Sequence, residues 1–377
     1  MRLSPDLSRP LFSGGPPVSP VGFGCYRVDD RHEPHAEALA HALESGVTLI
    51  DTSTNYADGW SERLVGRVVG RRAAAGAPAP VVVTKAGYVQ GENQAEAFRR
   101  LRAGAAWEEM VEYSPDCWHC ISPRFLEDQL TASLKRLGMP RVDVLLLHNP
   151  EYFLMDAAHR GVGTEEARDA FYGRVGRSLA HLEAEVARGR IGAYGISSNT
   201  FVVPREKADA VDLTRVVPAA GPGFRVIQLP MNPLELGARE PIHTADGRSV
   251  LDVAREAGLG VLVNRPFNAF SSRGLVRFAP VDWSDPEYRR SARGAPAEMA
   301  AVEGPRRAQL DAHLDEVFPG LPGGSVSQRT LLGLLAAPGV TSVLVGMRRV
   351  SYVDDVLTPL AAGGGTRSRV DSPPGRD

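Results

Sequence analysis

Three ionisable side chains in this sequence each follow directly on a run of apolar residues. They are Asp51, Lys85 and His148, and Tyr56 lies shortly after the first of them. A phenol is a poor acid at neutral pH, but an adjacent ammonium ion stabilises the phenolate and lowers the pKa. We therefore expect Tyr56 to act as a general acid that Lys85 activates. Asp51 would pair with the lysine, and His148 would hydrogen-bond the substrate oxygen or relay its proton.

Short apolar runs alternate with helical patterns along the chain, which is typical of βα units around a parallel sheet. Strands are predicted at residues 21–24, 47–50, 81–84, 142–147, 191–196, 225–229, 260–263 and 341–345. Helices are predicted at residues 35–44, 61–70, 123–137, 168–188, 204–210, 248–257, 325–336 and 350–360. Eight such units without duplicated sequence favour an α/β fold of the (β/α)8 TIM barrel type. A doubly wound parallel sheet stays the alternative.

The domain organisation follows from this pattern. Residues 1–20 are rich in Pro, Ser and Gly and are predicted to form an N-terminal extension or cap, residues 21–360 the single barrel domain, and residues 361–377 a disordered tail. Segments 86–122 and 268–324 are too long for simple connections. Both follow strands on the face that carries the chemistry of such barrels, so we expect lids or substrate loops there.

Composition narrows the choice of partners and location. The net charge of −2 does not indicate the excess of positive charge that nucleic-acid binding normally requires. The N-terminus lacks the apolar region of a signal peptide, and the longest apolar stretch, Leu331–Gly346, is interrupted by proline and too short to span a bilayer. Three cysteines are too sparse for a disulfide framework. The sequence thus predicts a cytoplasmic protein that binds neither nucleic acid nor membrane.

The segment Cys117–Cys120 contains a CxxC pattern, which can be a redox pair or half of a zinc site. No second CxxC or HxxxH accompanies it, so no metal is predicted. Trp118 and His119 are instead expected to roof a substrate pocket or simply to pack within the loop. Asn149 and Tyr152, just after His148, would wall that pocket or turn the chain.

The segment Asp51–Gly66, with Lys85 and His148, resembles the aldo-keto reductases, NAD(P)H-dependent enzymes built on a (β/α)8 barrel. The resemblance extends from about Val18 to Leu360. Further landmarks that look like the family are Gly22–Tyr26, Arg190–Asn199, Gln228–Leu234 and Gly346–Arg348.

The resemblance implies that Tyr56 protonates a carbonyl oxygen while hydride passes from the reduced nicotinamide to the carbonyl carbon, so that a small aldehyde or ketone becomes an alcohol. Ser197, Ser198 and Gln228 would hold the nicotinamide carboxamide. The remaining cofactor contacts would be Gly24, Cys25, Asn264, Arg265, Pro266, Gly346, Met347, Arg348 and Asp355. The substrate contacts would be Tyr26, Trp118, His119, Asn149 and Tyr152.

The chain departs from the family pattern at the cofactor. Many members place an aromatic ring against the nicotinamide, where this chain has Asn264. The lysine and arginine that grip the NADP phosphate in some members correspond to Gly346 and Tyr352. Arg348 and Arg349 could replace them, because guanidinium binds phosphate in bidentate geometry. NADP is therefore favoured over NAD.

Two other functions remain open from the sequence. A lysine at a barrel strand end can form a Schiff base, as in a lyase, although Asp51 would keep Lys85 charged and unreactive. A cofactor-binding regulatory subunit without turnover is the other alternative, because Asn264 cannot stack on the nicotinamide and a fold does not fix a function.

Overall fold

A computed structural model describes residues 2–271, 274–279 and 296–361. Eight parallel strands pair in sequence order, and the eighth pairs with the first, which closes a barrel. The strands are β1 (Val21–Gly24), β2 (Leu49–Asp51), β3 (Val81–Ala86), β4 (Val142–His148), β5 (Ile191–Ser197), β6 (Phe224–Pro230), β7 (Gly260–Asn264) and β8 (Ser342–Val345). The predicted (β/α)8 barrel is confirmed, with strand ends displaced by at most two residues.

Helices surround the barrel and extend its loops. They are α1 (Glu33–Glu44), α2 (Trp60–Ala74), α3 (Glu92–Arg102), α4 (Pro123–Leu137), α5 (Tyr152–His159), α6 (Thr164–Ala187), α7 (Leu213–Val216), α8 (Val250–Glu256), α9 (Pro296–Val317), α10 (Val326–Ala336) and α11 (Val350–Ala361). Single turns of 3-10 helix occur at Pro5–Leu7, Tyr56–Gly59, Asn199–Val202, Val217–Ala219 and Gly237–Arg239.

The predicted helix at residues 204–210 is wrong. Residues 204–209 form turns and include no buried side chain, so a helix there would have no apolar face to pack against the sheet. The helix of this unit is the short α7 instead, and the side chain of Asp212 caps it by accepting a hydrogen bond from Thr214 N.

The amino-terminal end of the barrel is closed by a small hairpin. Strands Arg9–Pro10 and Pro17–Val18 pair antiparallel, and Leu11 between them is fully buried among side chains of the barrel interior. The Leu11 carbonyl lies against Gly260 at the start of β7, where a Cβ would not fit.

The division of the chain at residues 20 and 360 stays a prediction, and the expected tail lies outside the described residues except Ala361.

Both long connections emerge at the opposite, carboxyl-terminal mouth. After β3, strands Tyr88–Val89, Val111–Ser114 and Cys117–His119 form a three-stranded antiparallel sheet that also carries α3. After β7, Asn268–Ser271 pairs antiparallel with Gly274–Arg277. The segment from Ala86 to Ser122 is called the β3 insert below.

Candidate active site

Lys85 lies at the centre of the barrel mouth and is fully buried. Its Nζ donates hydrogen bonds to Asp51 Oδ2 at 2.7 Å, to the Thr52 carbonyl at 3.0 Å and to Tyr56 Oη at 3.1 Å. Burial lowers the pKa of Lys85, but the Asp51 carboxylate and the Tyr56 oxygen outweigh this and hold the pKa above its ordinary value. The amine therefore stays an ammonium ion at neutral pH.

Tyr56 begins the 3-10 turn that follows β2. The next two residues, Ala57 and Asp58, have φ of 48° and 54°, a left-handed conformation uncommon for residues other than glycine. Asp58 is held there because its carboxylate accepts a hydrogen bond from Glu92 N of the β3 insert. This tight turn places the Tyr56 hydroxyl beside Lys85.

The acidity of Tyr56 is set by two opposing influences. Burial raises the pKa of Tyr56 to about 12, while Lys85 acts in the lowering direction. The cation thus has the sign expected from the sequence, but burial outweighs it. At neutral pH the hydroxyl keeps its proton, which is the state required of a proton donor.

His148 ends β4 on the other side of Tyr56. Its Nδ1 lies 3.0 Å from Ser53 Oγ, and the ring meets Tyr88 edge to face with centroids 4.7 Å apart. Burial, reinforced by the Lys85 charge, holds the pKa of His148 well below its ordinary value. The imidazole is therefore neutral at physiological pH and can take part in hydrogen bonds without carrying charge.

Gln228 on β6 connects Asp51 to the neighbouring strands. Its Nε2 donates to Asp51 Oδ1 at 2.8 Å, and its Oε1 accepts from Ser197 Oγ and from Asn264 Nδ2, both at 3.2 Å. Ser198 lies alongside, and its Oγ accepts a hydrogen bond from Thr200 N at 3.1 Å. The three residues expected at the carboxamide thus lie together at the mouth, although Gln228 is engaged by other side chains.

The other expected cofactor contacts lie mainly at the ends of three strands that share the mouth. Gly24 and Cys25 lie at the end of β1, Arg265 and Pro266 follow β7, and Gly346, Met347 and Arg348 follow β8. Asp355 lies apart from these on α11, where it accepts a hydrogen bond from Gln328 Nε2 at 2.9 Å. This contact ties α11 to α10.

The expected substrate residues differ in their exposure. Tyr26 is 67% exposed and meets the Tyr56 ring edge to face at 5.2 Å. Trp118 is half-buried against Phe98. His119 is only 1% exposed, and its Nε2 lies 2.7 Å from the His148 carbonyl oxygen, so it supports the end of β4 and does not roof an open pocket.

Asn149 and Tyr152 join this group from the chain after β4. Asn149 has φ of 53° and donates from Nδ2 to Tyr88 Oη at 2.7 Å. The Tyr152 ring stacks on His119 at 5.5 Å and meets Tyr88 edge to face at 5.4 Å. Both residues therefore belong to an aromatic cluster beside His148.

Three residues of this site are not among the site residues predicted from the sequence. Ser53 lies within the Asp51 motif, which is the signal that could have identified it as the partner of His148. Tyr88 follows shortly after Lys85 and carries no motif. Glu151 is buried, and its Oε1 accepts a hydrogen bond from Asn199 N at 2.8 Å. Burial raises the pKa of Glu151 to about 7.

The cysteines are all free thiols, including the two of the CxxC segment. Within residues 2–271, 274–279 and 296–361, no three His, Cys, Asp or Glu side chains are grouped as metal ligands. Over the same ranges, no helix combines the length and apolar character needed to cross a bilayer. The cytoplasmic location and the lack of a metal stay predictions.

Comparison with known proteins agrees with the barrel fold. The aldo-keto reductase yakc [NADP(+)] of Schizosaccharomyces pombe is 23% identical over 354 residues, which cover 91% of this chain and 84% of that protein. The uncharacterised oxidoreductase YqkF of Bacillus subtilis is 21% identical over 337 residues, 89% of this chain and 85% of that protein.

Solved structures share the fold at low identity. Holo aldo-keto reductase AKR11C1 from Bacillus halodurans superposes with a TM-score of 0.57 at 18% identity, covering 93% of this chain and 89% of that one. An aldo/keto reductase from Klebsiella pneumoniae in complex with NADP and acetate gives 0.52 at 16% identity, with 93% and 89% covered.

The family model for the aldo/keto reductase family matches residues 20–362, which include all eight strands and the four side chains Asp51, Tyr56, Lys85 and His148. The chain belongs to the aldo/keto reductase family.

Proposed function

We propose that this protein is an NAD(P)H-dependent carbonyl reductase in which Tyr56 protonates the oxygen of an aldehyde or ketone. The observation that carries this proposal is the position of the Lys85 ammonium, 3.1 Å from Tyr56 Oη and 2.7 Å from Asp51 Oδ2. A charged donor next to a phenol stabilises the phenolate that proton transfer leaves behind. Family membership supports the reaction class.

The residues at the mouth fit a nicotinamide cofactor. Ser197, Ser198 and Asn264 bring polar side chains to one place, and Asn264 Oδ1 is buried without a hydrogen-bond partner in the part of the chain that the structure describes. When bound, the reduced cofactor supplies the hydride. NADP is favoured over NAD because two arginines, Arg348 and Arg349, follow β8, and because the Schizosaccharomyces pombe relative carries NADP(+) in its name.

The chain's own residues then have distinct roles. The neutral Tyr56 hydroxyl gives its proton to the carbonyl oxygen as that oxygen becomes negative. Lys85 stabilises the resulting phenolate, and Asp51 keeps Lys85 charged and oriented. Neutral His148 lies beside Tyr56, with ring centroids 5.9 Å apart, where it can hydrogen-bond the substrate oxygen.

The test is cofactor oxidation with a panel of aldehydes and ketones. Tyr56→Phe should lower kcat by ~100 to 10,000-fold, the usual contribution of a general acid. Tyr172→Phe is the matched control, because this tyrosine lies on α6 and its hydroxyl contacts only Asp212 N among the hydrogen bonds described for it. Turnover by Tyr56→Phe at nearly the wild-type rate would show that the acid is another group.

The charge on Lys85 argues against the Schiff-base lyase. An amine must be neutral to attack a carbonyl, whereas Asp51 and Tyr56 raise the pKa of Lys85 against the influence of burial. Borohydride trapping should therefore give no adduct on Lys85 with any carbonyl compound in the panel. A trapped adduct would favour the lyase.

A further inference from the structure

A continuous chain of hydrogen bonds runs from the end of β7 to the hydroxyl of Tyr56. Asn264 Nδ2 donates to Gln228 Oε1 at 3.2 Å, and Gln228 Nε2 donates to Asp51 Oδ1 at 2.8 Å. Lys85 Nζ then bridges Asp51 Oδ2 and Tyr56 Oη at 2.7 and 3.1 Å. The position where many relatives have an aromatic ring is therefore connected here to the acid–base group.

The direction of this chain follows from chemistry alone. An ionised carboxylate only accepts hydrogen bonds, so Gln228 must present its NH2 to Asp51 and its Oε1 to the other side. Oε1 can only accept hydrogen bonds, so the Asn264 atom that faces it must be the donor Nδ2 and not the acceptor Oδ1. The oxygen Oδ1 of Asn264 is thereby left on the side that faces away from Gln228.

Asn264 Oδ1 is buried and has no hydrogen-bond partner among the described residues. Buried acceptors in folded proteins are nearly always satisfied, so this atom calls for a donor from outside the chain. Ser197 Oγ donates to Gln228 Oε1 and Gln228 Nε2 donates to Asp51 Oδ1, so neither of these hydrogen bonds reaches Asn264 Oδ1.

Resting on the proposed function, we infer that Asn264 is a cofactor-binding residue whose Oδ1 accepts a hydrogen bond from the carboxamide NH2 of the nicotinamide. The acceptor role expected of Gln228 Oε1 passes to Asn264, because Gln228 Oε1 already accepts two hydrogen bonds. A hydrogen bond from the nicotinamide carboxamide to Asn264 thus replaces the stacking of an aromatic ring on the nicotinamide face.

Binding measurements on the full-length protein test this without turnover. Three probes are compared: NADPH, its acetylpyridine analogue, in which a methyl ketone replaces the carboxamide and no N–H is present, and phosphorylated ADP-ribose, which lacks the nicotinamide. Wild-type protein should bind NADPH about 10-fold more tightly than the acetylpyridine analogue, since one such hydrogen bond corresponds to roughly that ratio.

Asn264→Leu keeps the side-chain size and removes both polar atoms. We expect it to weaken NADPH binding by about 10-fold, to abolish the preference over the acetylpyridine analogue, and to leave phosphorylated ADP-ribose unaffected. Asn93→Leu is the matched control, because it removes an amide pair with Gln129 between α3 and α4. It should preserve the preference for NADPH.

Equal affinity of the wild-type protein for NADPH and its acetylpyridine analogue would overturn the inference, even if Asn264→Leu failed to fold. Equal weakening of both ligands by Asn264→Leu would also overturn it, because the residue would then act only through shape. Tight NADPH binding with the expected preference but no carbonyl turnover would support the inference while contradicting the proposed function.

Discussion

The side chains on the two sides of Tyr56 differ in chemical type. On one side, called the charged side, an ammonium ion, a carboxylate and amides are joined by hydrogen bonds of 2.7 to 3.2 Å: Lys85, Asp51, Gln228 and Asn264. On the other, called the aromatic side, rings meet edge to face or stacked: Tyr88, His119, His148 and Tyr152. The first side holds the formal charges, and the second side keeps its titratable rings neutral.

The two sides also have different origins in the chain. Every residue of the charged side belongs to a barrel strand, so the fold itself fixes its position. The aromatic side takes Tyr88 and His119 from the β3 insert. Loops tolerate change better than strands. Under the proposed function, we therefore expect the barrel to fix the proton chemistry and the insert to set the shape of the substrate site.

The largest effect is expected from removing the cation. Lys85→Met should lower kcat by ~100-fold or more and should destabilise the fold by ~3 to 5 kcal/mol, because Asp51 is left as a buried unpaired charge. The double variant Asp51→Asn/Lys85→Met carries no such charge, so it should recover stability in denaturant unfolding without recovering activity.

Lys207→Met is the control for this pair, since Lys207 is exposed to solvent whereas Lys85 is fully buried. Recovery of activity in the double variant would show that Lys85 serves only the fold. The distinction between the two sides would then lose its chemical meaning.

A smaller effect is expected on the aromatic side, through His119. Burial lowers the pKa of His119 from 6.5 to about 4. His119 is therefore protonated near pH 6.5 in the unfolded chain but only near pH 4 in the folded protein. Because the unfolded state binds the additional proton between these values, the free energy of unfolding falls as the pH drops from 6.5 to about 4. The loss amounts to about 3 kcal/mol at its full extent.

His119→Gln can retain a donor to the His148 carbonyl but cannot titrate. Unfolding measured between pH 7 and pH 4 should show a shallower loss of stability than in the wild type, by up to about 3 kcal/mol. Identical pH dependence in both proteins would mean that His119 is not protonated differently in the folded and unfolded states.

The smallest effect concerns the hydroxyl of Tyr88. Tyr88→Phe keeps the ring against His148 and removes both the acceptor for Asn149 Nδ2 and the donor to Tyr152 Oη at 3.5 Å. We expect a loss of about 1 kcal/mol in unfolding free energy and a change in kcat/KM well below that of Lys85→Met. A loss as large as that of Lys85→Met would show that the aromatic side also takes part in proton transfer.

The sequence was most informative where local pattern and function coincide. Asp51, Lys85 and His148 could be placed because each ends a continuous apolar run, and parallel strands bring their carboxyl ends to one mouth. The helix at 204–210 was wrong because its composition suits a helix while its side chains have nothing to cover. Helix propensity alone, without an apolar face to pack against the barrel, did not predict the structure of this segment.

Contacts between distant segments could not be predicted in the same way. The link from Asn264 through Gln228 to Asp51 depends on the register of β7, β6 and β2, which no local pattern encodes. The sign of Lys85's influence on Tyr56 could be foreseen, but not the larger effect of burial, because burial depends on the whole surrounding structure.

The most direct test of the account replaces Tyr56 with a fluorinated tyrosine, whose phenol is more acidic but nearly the same size. Reduction requires the neutral phenol, so activity should be lost as pH rises through the pKa of residue 56. The account predicts that this alkaline limb moves to lower pH by the difference between the two phenol pKa values. An alkaline limb that stays in place would contradict Tyr56 as the proton donor.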